Sequence, residues 1–286
     1  MKIIKYFFEF IFIGILLIIF KISGYRLASN FGAFIGGLFG PIFRSKKKIS
    51  SNIKNAFPNM EEENIDLIIK KMWANYGRIL ADYMSIKNFK KSKLDQYLKI
   101  EGKEIFEEIK NNKEQVVFVS GHFNNFELMA MEIEKSGVNA AAIYRPLNNI
   151  FLNKIMERIR KKYICKYQIK KGISGVREII QLYKKGFSIA LMIDQRVSEG
   201  IKSNFFGKPA FTTTIPAQLV KKFNCKVVPI YIERVNKFGY KITINRPIKF
   251  DKNQSVEDIS NALNNWLEKM ILNEPSQWIW SHNRWK

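Results

Sequence analysis

Histidine, cysteine and acidic side chains are scarce in this chain, and each shortage excludes something. Cys165 and Cys225 are its only cysteines. Two thiols with no metal-ligand spacing build neither a disulfide framework nor a zinc site, so both read as buried and reduced in a cytosol-facing domain. Acids number 25 against 48 Lys and Arg, for a net charge of +23 and a pI near 9.9. Such an excess calls for an acidic partner: nucleic acid, an anionic membrane, a phosphorylated substrate or an acidic protein. No zinc-finger spacing, no P-loop and no long basic block is present, which argues against nucleic acid. The lysines lie scattered among aliphatic and aromatic residues, as suits a membrane surface. A disordered chain is excluded as well, because 47% of the residues are hydrophobic.

There are only two histidines, His122 and His282. His122 lies in Ser120-Gly121-His122-Phe123-Asn124-Asn125-Phe126-Glu127, between the apolar run Val116–Val119 and a helical stretch from Leu128. A histidine is thus delivered at a strand end, with a carboxylate five residues on in the first turns of a helix. If the turn holds His122 outside the helix, Glu127 can fold back to orient the ring and raise its basicity. His282, in the aromatic and basic tail Trp278–Lys286, reads as structural or interfacial.

The N-terminus opens with Lys2 and Lys5, followed by a stretch from Tyr6 to Phe20 that is apolar except for Glu9. No convincing signal-peptide cleavage site follows. Counted from Ile3 to Ile22, with Lys5 and Lys21 snorkelling, the stretch is long enough for a membrane helix. A second apolar stretch, Leu27–Phe43, reads as an interfacial or re-entrant helix or as the first helix of the body. Positive charge is denser after the anchor (Lys21, Arg26, Arg44, Lys46, Lys47, Lys48) than before it, which places the body on the cytoplasmic side.

Three segments are expected: a membrane anchor over residues 1–25, a helical membrane-proximal region over 26–100, and an α/β domain over 101–286. Within the last, candidate strands are Val116–Ser120, Ala140–Tyr144, Ser188–Ile193, Val227–Glu233 and Tyr240–Ile244. Helical patterns lie at Asn125–Ser136, Phe151–Lys162, Gly175–Lys184, Pro216–Phe223 and Val256–Asn273. Alternation of this kind predicts a central, mostly parallel sheet flanked by helices. Ligands in such sheets sit beyond the carboxyl ends of strands, and His122, Arg145 and Asp194 each fall at such an end. Arg145, Arg158 and Arg160 surround one strand–helix unit, and guanidinium forks match phosphates. Asp194 is read either as functional or as a local cap. Phe205 and Phe206 either line an acyl pocket or pack, and Thr212–Thr214 either hold an anion or cap a helix.

Taken together, these residues resemble the lipid A biosynthesis acyltransferases, the late, secondary enzymes acting on Kdo-lipid IV(A), within the wider lysophospholipid acyltransferase group. The resemblance covers nearly the whole chain. It rests on the N-terminal anchor, Asn52 to Phe57-Pro58, Gly121-His122 with Glu127, Tyr144-Arg145-Pro146, Arg160, Asp194-Gln195, Phe205-Phe206-Gly207, the Thr run and Trp280–Trp285. It implies an H-x4-E catalytic pair in His122 and Glu127, with Arg145, Arg160, Asp194 and Gln195 serving substrate. It further implies an inner-membrane O-acyltransferase that uses an acyl carrier protein thioester as donor and a phosphorylated glycolipid as acceptor. No metal or organic cofactor is implied. Competing readings are a lysophosphatidate or phosphatidylinositol-mannoside acyltransferase and, in another class, a basic membrane-surface binding protein without catalysis. A glycerophospholipid enzyme typically carries Asp where Glu127 stands, and a Pro-Glu-Gly-Thr type block downstream.

Overall fold

Short β-branched runs from residue 98 onward favour strands, and the amphipathic stripes between them favour helices that cover the strands. The computed structural model, which describes residues 2–286, bears this out. Four helices lead in: α1 (Lys2–Phe43), α2 (Lys46–Ala56), α3 (Glu62–Asp82) and α4 (Ile86–Lys90). The α/β part follows as β1 (Leu98–Glu101), α5 (Lys103–Asn111), β2 (Val117–Ser120), α6 (Glu127–Lys135), β3 (Ala140–Tyr144) and α7 (Ile150–Ile159). A π turn (Arg160–Ile164) extends α7. Next come β4 (Tyr167–Lys170), α8 (Ile173–Lys184), β5 (Ser188–Met192), β6 (Ile201–Phe205), β7 (Lys208–Thr212), α9 (Ile215–Phe223), β8 (Val227–Val235), β9 (Gly239–Ile244) and α10 (Val256–Asn273).

Seven strands form one sheet in the order β1-β9-β8-β2-β5-β3-β4, parallel throughout except between β8 and β9. Its central strands are covered on both faces, and Val117, Ile189 and Val227 are fully buried. β1, β4 and α5 escape the sequence reading because their runs are short and interrupted by charge. The hairpin β6–β7 turns on Phe206 and Gly207, both with positive φ.

This hairpin and the C-terminal tail form one aromatic layer. Phe205 is buried against Trp278, Trp285 and Phe206, so it packs and does not line an acyl pocket. Trp278, Trp280 and Arg284 are also buried. The Arg284 guanidinium donates to the Phe211 carbonyl at 2.5 Å and to the Thr212 hydroxyl at 2.7 Å. A tail that reads from its composition as a headgroup interface is therefore core, because the hairpin covers its aromatic rings. Thr212 is taken up in holding it.

α1 is two helical halves meeting at Gly24, whose φ of 74° and ψ of 167° break the helix. Ring contacts pair Phe20 with Phe31 (5.9 Å) and Phe12 with Phe39 (6.4 Å). Both pairs are centred between residues 25 and 26, so the halves run antiparallel. The second half lies against α3 at Gly32, Gly36, Gly40 and Gly77, and a methyl on any of these would collide with backbone or with Trp73. The stripe on α3 is core on its inner side, where Ile65, Ile69, Met72 and Trp73 are buried. Asp82, at the end of α3, accepts from Arg234 of β8 at 2.8 Å and from the Tyr240 hydroxyl of β9. That buried pair ties the lead-in helices to the sheet. Gly77→Ala is expected to force α1 and α3 apart and to cost about 1–3 kcal/mol. The check is a lowered Tm in detergent, and an unchanged Tm would sink the account of this contact.

Candidate active site

Strand register builds the site. β2 and β5 are parallel neighbours with Ser120 opposite Met192, and the ladder continues one step as Ile193 N–H donates to the Ser120 carbonyl at 2.9 Å. His122 and Asp194 each stand two residues beyond that last pair, so they arrive side by side at the carboxyl edge of the sheet. Nδ1 of His122 lies 2.7 Å from Oδ1 of Asp194. The His122 backbone N–H donates to Oδ2 at 2.7 Å, and the Trp278 indole N–H donates to the same oxygen at 2.8 Å. Gly121 leaves room for this approach, since a methyl there would press on Phe123, Leu267 and Asp194.

Asp194 is buried. Burial alone would raise its carboxyl. The His122 ring beside it and the hydrogen bonds from His122 and Trp278 outweigh burial and hold it down at about 2, against an ordinary 3.8. An ionised carboxylate only accepts, so in neutral His122 the proton belongs on Nδ1 and the lone pair on Nε2. The ring stands edge-on to Phe126 at 4.9 Å, and the Gln195 amide nitrogen lies 3.5 Å from Nε2.

Glu127 does not make the contact with His122 that the spacing suggests. It is the first residue of α6 and accepts from Nε (2.8 Å) and Nη2 (2.5 Å) of Arg160 and from the Tyr83 hydroxyl. The π turn after α7 delivers the Arg160 fork, while Nδ1 of His122 is already occupied by Asp194. Asn124 shapes the intervening loop. It adopts positive φ, and its backbone N–H donates to the Gln277 carbonyl at 3.2 Å, so that amide is not free to receive an oxyanion. Ser120 turns its hydroxyl to the Gly121 carbonyl and the Met129 sulfur, each at 3.4 Å.

His122 lines a cavity of about 460 Å³. Its walls are largely apolar, with Phe118, Ala142, Ala190 and Leu191 from the sheet and Met129 and Ile133 from α6. Glu127, Arg145, Arg160 and Gln195 also line it, so the fold gathers all six candidate residues at one place, with Asp194 behind His122. Arg158 is exposed on α7 and is not among the lining residues.

A second, open depression of about 650 Å³ joins the cavity at Arg145, Lys171 and His282. Arg44, Arg196 and Lys286 make it strongly cationic, and Glu199 is its single acid among the described residues. Burial and then the neighbouring Arg145 lower the pKa of Lys171, which marks a crowd of cations suited to an anion. Burial is the main cause that pushes His282 down to about 4, leaving it neutral at neutral pH.

The sequence reading misses Tyr83 and Lys171, which nothing local marks, and takes Trp278 and His282 only as parts of the aromatic and basic tail. Among the described residues no group of three or more His, Cys, Asp and Glu is placed to hold a metal ion.

A family model described as bacterial lipid A biosynthesis acyltransferase matches residues 1–286. The chain is 23% identical over 270 residues to a lipid A biosynthesis acyltransferase of Haemophilus influenzae, covering 92% of this chain and 85% of that protein. It is 23% identical over 244 residues to the lipid A biosynthesis myristoyltransferase of Escherichia coli, covering 82% and 73%. Against the lipid A biosynthesis lauroyltransferase of the same organism it is 22% identical over 291 residues, covering 99% and 92%.

The depressed carboxyl gives a pH signature. Its stabilisation is full above the ordinary value of 3.8 and is lost as pH falls through about 2. The Tm gap between wild type and Asp194→Asn is therefore expected to narrow across that window. A gap independent of pH would show that Asp194 is not held ionised by His122.

Proposed function

Because the chain belongs to the bacterial lipid A biosynthesis acyltransferase family, matched over its whole length, we propose that it moves a fatty acyl group from an acyl carrier protein thioester to a hydroxyl of a Kdo-lipid IV(A)-type precursor. The observation that carries this reading is an imidazole, backed by a buried carboxylate, in the wall of an apolar cavity that joins a cationic depression at Arg145, Lys171 and His282. An acyl chain suits the first, and the phosphates and carboxylates of a glycolipid suit the second. The net charge of +23 suits an acidic carrier protein.

An aliphatic alcohol is a poor nucleophile at neutral pH, so a base is needed. Nε2 of His122 takes the hydroxyl proton as the oxygen attacks the thioester carbonyl. Asp194 stabilises the imidazolium that forms. Collapse of the tetrahedral intermediate breaks the carbon–sulfur bond, and the departing thiolate takes the proton back from Nε2. Arg145 and Gln195 are the nearby side-chain donors for the developing oxyanion. Glu127 serves by fixing Arg160 in the cavity wall. The protein is attached to the inner membrane through α1, with its body on the cytoplasmic face.

The test is transfer from mixed acyl carrier protein thioesters in detergent, with Kdo-lipid IV(A) and lysophosphatidate as competing acceptors. Acyl gain on lipid IV(A) is expected. Losses on the order of 10²–10⁴-fold are expected for His122→Ala and Asp194→Asn. Full activity of His122→Ala would sink the mechanism, and gain on lysophosphatidate alone would sink the acceptor.

A further inference from the structure

We propose that α1 does not cross the bilayer. It lies as a folded-back hairpin in the plane of one anionic leaflet, and so sets the mouth of the His122 cavity at the lipid surface. This placement is independent of the reaction proposed above.

The first half of α1 touches the body at both its ends. Near its start, the Tyr6 carbonyl accepts from the Asn149 side-chain amide at 2.8 Å, and Phe7 and Phe10 meet the Phe151 ring at 6.0 and 5.7 Å. At the bend, Tyr25 packs on Phe89 (5.5 Å) and Tyr97 (5.0 Å) and donates to the Phe238 carbonyl at 2.5 Å. About 28 Å of helix separates these contacts, close to a whole hydrocarbon thickness of about 30 Å. Between them, Ile13, Leu16, Leu17 and Phe20 form an inward stripe that is buried or half-buried. The helix is therefore laid along the body and does not project from it.

Upright insertion would carry the body's flank through the hydrocarbon. α3 runs beside the second half; its exposed Asp66 pairs with Lys46 at 2.6 Å just past the end of α1, and Lys70 and Lys71 lie a turn further on, so these charges mark the end of the hairpin opposite the bend. The bend itself is cationic: Lys21 shares a depression with Lys87, Lys91 and Lys93, and Arg26 donates to the Tyr97 hydroxyl at 2.7 Å. With both ends of the first half held against the body, upright insertion would draw the polar body flank between these charged ends through hydrocarbon, which is strongly disfavoured. Lying flat leaves all of them at the water boundary.

The outward side is what lipid would cover. Ile4, Phe8, Ile15 and Ile22 on the first half and Phe34 and Ile42 on the second are each more than half exposed, Ile22 by 80%. Lys2, Lys5, Lys46, Lys47 and Lys48 rim the apolar face, which matches an anionic headgroup layer. The same face runs on past Phe151 to Ile150 and Leu147, 50% and 40% exposed, and Leu147 lines the His122 cavity. An acyl chain can thus pass from the leaflet to the imidazole without crossing water.

The test uses the full-length protein, in which both native thiols are buried. Lys2→Cys, Lys21→Cys, Lys48→Cys and, as a body marker, Lys202→Cys are each probed with a membrane-impermeant maleimide in spheroplasts and in inverted vesicles. All four are expected to react from the side that exposes Lys202→Cys, with complete loss of labelling from the other side. Reaction of Lys2→Cys alone from the opposite side would overturn the proposal in favour of one span. Reaction of Lys21→Cys alone from the opposite side would overturn it in favour of two. A site silent from both sides until detergent is added would overturn it by placing that site in hydrocarbon. A wild-type Tm in detergent for each variant shows that the labelled protein is folded.

Discussion

The parallel ladder between β2 and β5 is the constraint on which the site depends. Two strands that share a register and end together must deliver equivalent positions beyond their ends to one point. Here those positions hold His122 and Asp194. No loop has to find a conformation to bring the pair together, because the sheet's hydrogen bonds have already done so. The carboxylate is then held by a backbone amide and an indole as well as by the ring. A slip of the register would break all three contacts at once. Rigid strands thus position chemistry more sharply than the flexible segments around it could.

The same architecture sets an apolar compartment beside a cationic one. Apolar strand residues and the underside of α6 form one wall system, and the arginines and lysines beyond the strand ends form the other. His122 lines the first, and the two meet at Arg145, Lys171 and His282. A long acyl chain and a multiply charged headgroup cannot share a compartment without one of them being desolvated at a loss. Two adjoining compartments offer each kind of group a suitable environment.

How much of this was legible follows from the range of the interactions. Ala140–Tyr144 and Val256–Asn273 could be read directly, because their patterns are local and uninterrupted. The strand-end rule placed His122, Arg145 and Asp194 at one edge, since it needs only the alternation of strands and helices. Which carboxylate meets the ring was not legible. Glu127 is five residues away in sequence and Asp194 is seventy-two away, yet strand pairing favours the distant one. Composition misled at the tail, where Trp278, Trp280 and Arg284 look interfacial until the β6–β7 hairpin is seen to cover them. The fold-back of α1 was hidden for a related reason. Gly24 is one glycine among several in an apolar run, and only the rings meeting across it reveal the bend.

The pairing of Glu127 with Arg160 explains why a carboxylate at that spacing suits the site without touching His122. A lone guanidinium in the wall of an apolar cavity would carry an uncompensated charge, and so would a lone carboxylate. Together, with the Tyr83 hydroxyl on the same oxygen, they form a neutral unit. Buried pairs of this kind contribute little net stability compared with hydrophobic replacements, so stability alone is a poor reason to keep one. What the pair does is hold a planar donor fork at a fixed place beside the cavity, anchored from α6, from the π turn after α7 and from the lead-in helices together. Glu127 fixes a guanidinium in the cavity wall, and Asp194 fixes the His122 ring.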